Sequence, residues 1–137
     1  MSAPNDLRDL TPMSRATMIW LNSQYNDKRR KELKEKRDAY IRVNVHLIYK
    51  NAVQLAENSG LTRITYLVTD AMTKIAYDII LELRRLFTDC EVSCIRITSS
   101  QSTNYITEIM IDDDTIQRGN LYNVGGLAPV YIVVDWS

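Results

Sequence analysis

Histidine occurs once in these 137 residues, phenylalanine once, cysteine twice, proline three times and glycine four times. Two cysteines and one histidine fall short of the about four ligands a structural zinc ion needs within one chain. No apolar run approaches the length that crosses a bilayer. The opening MSAPNDLRDLTPMS has no basic start followed by an apolar core, so no secretory signal is expected. Net charge is also absent, at 17 cations against 17 anions, which sets the chain apart from the polycations that coat nucleic acid. There are no internal repeats and no low-complexity segment.

What is present describes a globular chain. With 45% hydrophobic and 25% charged residues it is neither disordered nor fibrous, and its length suits one core without metal or disulfide support. Cys90 and Cys94 read as neighbours on one strand, where four residues of rise separate them by roughly 13 Å, beyond disulfide reach. They are expected as free thiols, and hence a reducing compartment is expected.

The zero net charge hides an asymmetry. Residues 1 to 60 carry 11 Lys/Arg against 7 Asp/Glu, and residues 61 to 137 carry 6 against 10. Most of the positive excess is KRRKELKEKR, Lys28 to Arg37. On a helix its cations at Lys28, Arg29, Arg30, Lys31, Lys34, Lys36 and Arg37 surround the whole circumference. Such a run usually marks a solvated helix rather than a groove-reading face.

Residues 1 to 27 show little periodicity and read as an arm. Thr11-Pro12 offers a cap and a first-turn proline for a short helix through Leu21. Asn26-Asp27 then caps one long helix, or two abutting ones, that Gly60 stops. Its later part spaces Ile41, Val45, Ile48, Tyr49, Ala52 and Leu55 as a buried stripe. RITYLVT, Arg63 to Thr69, is a strand. Thr69-Asp70 caps a second helix with the stripe Ile75, Ile79, Leu83 and Leu86, and Arg84 and Arg85 favour its C-terminal dipole. CEVSCIRIT and NYITEIMID form a hairpin around Ser99 to Thr103, with a bulge expected where the apolar face changes between Cys94 and Ile95. Asp112 and Gly119 bracket one helical turn, and a Gly125-Gly126 bend leads into VYIVVDWS. That last strand is apolar on both faces, so it is expected inside the sheet with Trp136 under a helix. The fold class is α+β: a two-layer domain over 28–137, with a mainly antiparallel sheet of about four strands and two helices packed on it.

Catalytic and metal roles are thinly supplied. His46 stands alone on a helix, where a packed or surface imidazole is the ordinary outcome. Asp112-Asp113-Asp114 lacks the spaced ladder of a calcium loop and reads as a solvated cap. Gly125-Gly126 follows no phosphate-binding motif. No catalytic residue, metal or cofactor is therefore assigned. The partner-binding candidates are the basic run Lys28, Arg29, Arg30, Lys31, Lys34, Lys36 and Arg37, with Ile19 and Trp20 from the apolar patch Met18 to Leu21. Other protein subunits, a capsid protein or a second copy, are the expected partners, within an oligomer or larger assembly. Nucleic acid is possible but not favoured, and anionic lipid is a further acidic surface the run could meet.

Three fragments, LIYKNAVQLAENSGLTRITY, LELRRLFTDCEVSC and YIVVDWS, together resemble small uncharacterised proteins of the large nucleocytoplasmic DNA viruses. Those share an Ile-Tyr helix, a Leu-Phe-x-Asp-Cys helix-to-strand turn and an Asp-Trp-Ser ending. The resemblance covers residues 46 to 137, and Thr88 stands where a proline is expected. It implies a viral setting, in a virion or host cytoplasm, and a shared small α+β domain, with no catalytic residue. The resulting expectation is a non-enzymatic structural protein, a minor capsid-associated component. The alternative is a small intracellular regulator that binds nucleic acid or a host protein through its basic helix.

Overall fold

The structure, a computed structural model, describes residues 7–99, 105–122 and 128–137. The Gly125-Gly126 bend, and all but the first residue of the Ser99–Thr103 turn, lie outside the described residues. The chain divides into two compact units, Met1–Lys36 and Arg37–Ser137.

A single 3₁₀ turn at Leu7–Asp9 precedes α1, which runs without interruption over the 44 residues Arg15–Asn58. The cap is Ser14 rather than Thr11: its Oγ accepts from the Thr17 N–H at 3.1 Å, and its carbonyl accepts from Met18. The short helix through Leu21 and the helix expected to begin at Asn26-Asp27 are one element, for a simple physical reason. No glycine or proline falls between Arg15 and Asn58, so Asn26-Asp27 has no break to cap and lies inside α1. Asp27 pairs instead with Arg30 one turn on, at 3.3 Å. The helix ends on Ser59, whose N–H and hydroxyl both donate to the Leu55 carbonyl, at 3.0 and 2.8 Å. Gly60 takes no left-handed conformation.

The second unit is the α+β domain. From Arg37 onward α1 buries Val45, Ile48 and Ala52, at the spacing of the expected stripe. β1 (Arg63–Leu67) is followed by a 3₁₀ turn at Asp70–Met72, and α2 (Ala76–Leu86) starts only after it. Thr69 makes no side-chain cap, so the second helix begins later than its apparent signal. α2 buries Ala76, Ile79, Ile80 and Leu83, with Ile75 buried just before it, while Leu86 is exposed. The α2-to-β2 turn holds Asp89 at φ 64, a left-handed conformation that a short polar side chain tolerates better than a branched one.

β2 (Glu91–Ser99), β3 (Ile106–Ile111) and β4 (Val130–Asp135) complete an antiparallel four-stranded sheet in the order β1-β4-β2-β3. The C-terminal strand is thus interior, as its two apolar faces require. Between β3 and β4 lies α3 (Asp113–Arg118), capped by Asp112 accepting from the Thr115 N–H and stopped by Gly119 at φ 73. One sheet face, carrying Val92, Cys94, Val130, Ile132 and Val134, joins the helices in the core. Trp136 is half-buried against that core, and its N–H donates to the Thr62 carbonyl at 2.9 Å.

The expected bulge is absent. The pairing of β2 with both neighbours keeps one register through Cys94 and Ile95. Cys94 points into the helix-side core. Ile95 faces the other way and is still only 5% exposed, as is Val133 at 4% on the same helix-free face. Burial on both faces of a regular strand, not a kink, produces the change of apolar face.

Two side chains tie the second unit together at its weak points. The Tyr122 hydroxyl donates to the Val68 carbonyl and accepts from the Val130 N–H at 3.2 Å, joining the end of β1 to the start of β4. Buried Asn44 donates to the Tyr40 carbonyl and accepts from the Tyr66 hydroxyl at 3.1 Å, fixing α1 to β1.

Candidate partner-binding surface

In the first unit none of the described residues is buried. Met18, Ile19, Trp20 and Leu21 are 54, 56, 58 and 42% exposed, and Tyr25 and Leu33 are exposed further along. Four consecutive helical residues point in four directions about 100° apart. An apolar quartet therefore sets exposed apolar side chains around the whole circumference of this turn.

The basic run continues on the same helix and every residue of it is exposed. Arg30 is engaged by Asp27 and belongs to the helix's own surface. Arg37 bonds Asp78 on α2 in a half-exposed ion pair within the second unit. Lys28, Arg29, Lys31, Lys34 and Lys36 have no acidic partner among the described residues. Five cations of the expected set are thus unpaired and two are paired, and all seven are exposed, as are Ile19 and Trp20.

The second unit carries a surface that the buried-stripe pattern did not reveal. An open groove of about 1030 Å³ runs between α1 and α2, lined by Ile41, Val45, Tyr49, Leu81 and Leu86 among others. Tyr40, with Val43 and Leu47 of the groove lining, forms an exposed row at helical spacing. The three- and four-residue steps of that row were legible in the sequence. Its exposure was not, because α1 has apolar residues on more faces than the sheet can cover.

The groups weighed for chemistry have other employment. His46 is exposed on α1 at the groove. Burial pushes the Cys94 thiol up to about 12, so it is a neutral core group. Cys90 is half-buried just before β2, and both thiols are free. Asp112 is consumed as the α3 cap, and its bonds to Thr115 hold its carboxyl below the usual range. Asp113 is gripped by Arg84 through two bonds of 2.9 and 3.0 Å, which lowers it likewise. The same guanidinium donates to the Val92 carbonyl, tying α2, β2 and α3. No trio of potential metal ligands gathers among the described residues, and no helix among them is long and apolar enough to cross a membrane.

Comparison with protein-family models, curated proteins and solved structures finds no match to this chain.

Proposed function

We propose that the protein is a structural component that works by binding other protein subunits, with the Met18–Leu21 segment as its principal contact. The observation that carries this reading is the exposure of all four side chains of that quartet. Fully burying one such side chain is worth about 1.5–3 kcal/mol, so a partner that covers them gains strongly. The free cations Lys28, Arg29, Lys31, Lys34 and Lys36 flank the patch and favour an acidic surface beside an apolar one. Tryptophan with neighbouring basic residues is also the composition of binding hot spots.

The setting is a large DNA virus particle, with the protein as a minor capsid-associated component made in the host cytoplasm. Its support is the resemblance carried by the LFTDC turn and the YIVVDWS strand. Both lie at organising points of the fold, one at the left-handed Asp89 and one in the interior of the sheet. Purified particles should hold the protein at fixed copy number, and a variant with Ile19→Glu and Trp20→Glu should fold but fail to enter them. Absence from particles defeats this setting. The same five cations could meet nucleic acid in the second reading, a small regulator; salt-sensitive retention on DNA or RNA by the full chain, lost on changing the lysines to glutamine, would favour it.

A further inference from the structure

β3 is one of the two edges of the sheet, and it is poorly defended. Natural edges are usually blunted by lysine, proline, bulges or a covering loop. Ile-Thr-Glu-Ile-Met-Ile has no lysine, proline or bulge, and every residue from Ile106 to Met110 is exposed. Ile106, Met110 and Ile109 are 73, 62 and 49% exposed, and they occupy both faces. The single charge, Glu108, is already neutralised by Arg63 through bonds of 3.1 and 3.2 Å.

The direction of the backbone groups follows from the ladder. The Ile97 N–H donates to the Pro129 carbonyl on the β4 side, so Arg96 and Thr98 address β3. Their partners Ile109 and Thr107 therefore bond inward, and Ile106, Glu108 and Met110 present their N–H and C=O groups outward.

We infer that β3 pairs antiparallel with β3 of a second copy, extending the sheet across a two-fold axis that passes through Ile109. The choice of occupant and register rests on self-complementarity. An axis through Glu108 would set two carboxylates directly opposite, which is destabilising. An axis through Ile109 places Ile109 against its own copy and Thr107 against Ile111, and lets Glu108 and Met110 exchange both backbone bonds with Met110 and Glu108 of the second copy. Each outward group at the centre is then satisfied, and each carboxylate faces a thioether. A two-fold contact closes on itself and stops at the dimer. This contact uses the second unit alone and does not depend on the role proposed for Met18–Leu21.

Sedimentation velocity of the full chain over a concentration series tests it, with two variants one residue apart. The parent chain should form a reversible dimer. Ile109→Lys, which sets like charges against each other on the axis, should remain monomeric where the parent dimerises. Met110→Lys, which faces Glu108 of the second copy, should keep the dimer. A parent chain that stays monomeric, a filament that grows with concentration, an Ile109→Lys variant that still dimerises, or a Met110→Lys variant that does not, would each overturn the pairing.

Discussion

Arg63 on β1 and Glu108 on β3 join the two edge strands of one sheet by a two-pronged ion pair. In a flat sheet three inter-strand steps and six residues of rise would part them by roughly 14 Å across and 20 Å along. Their contact means that the sheet is coiled, with its helix-free face concave. Ile95 and Val133 lie on that face and are buried although no helix among the described residues packs over them.

The coil predicts an unusual distribution of stability. Ile95→Ala should cost about 2–5 kcal/mol in urea unfolding, as deletions at buried aliphatic positions do. Glu108→Gln, at a half-exposed ion pair, should cost no more than about 1 kcal/mol. A small loss at Ile95 would mean that the face is open.

The FTDC turn gives a second prediction, from backbone geometry. Asp89 is held at φ 64. Asp89→Gly should be neutral or slightly stabilising, whereas Asp89→Val should destabilise by about 1–2 kcal/mol. Equal midpoints for the two variants would show that the turn is free to change its conformation.

Much of this architecture was legible because its signals are local. The β-branched runs, the Asp112 cap and the Gly119 stop of α3 each act within a few residues. The interior position of β4 was also readable, since Val130, Ile132 and Val134 alternate with a second apolar set. What escaped the sequence was tertiary. A continuous α1 could not be told from a short helix to Leu21 and a second one begun at Asn26-Asp27, polar residues that are good caps but tolerable helix residues. The apparent bulge at Cys94-Ile95 required knowing that a coiled sheet can bury its open face. In the candidate site, the exposed quartet and the basic run were readable, but the pairing of Arg37 with Asp78 depends on a contact 41 residues away. The open edge at β3 was hidden because composition does not distinguish an edge strand from a central one.

The thiols should separate chemically. Cys94 is buried with its pKa pushed up to about 12, so almost none is thiolate near neutral pH. Alkylation of the folded protein at mildly alkaline pH should label Cys90 well before Cys94. Labelling of both at one rate would place Cys94 in a far more accessible site.

Acid sensitivity follows from Arg84 and Asp113. The Asp113 carboxyl is held below its ordinary value, chiefly by its bonds to Arg84. A depressed folded pKa gives stability that is complete above the unfolded value and is lost as pH falls through the folded one. Unfolding midpoints should therefore drop as pH falls below the ordinary aspartate range near about 3.9. Asp113→Asn should flatten part of that drop while lowering stability at neutral pH. An unchanged slope in the variant would show that the pair contributes no linkage.

The binding role of Met18–Leu21 can be read directly at Trp20 and Met18 themselves. Hydroxyl-radical footprinting of the isolated full chain should oxidise both rapidly, in keeping with their exposure. The same residues in the native assembly should be strongly protected, while exposed sites elsewhere on the chain keep their reactivity. Equal oxidation of Trp20 in the two samples would contradict a role for this segment in binding other subunits.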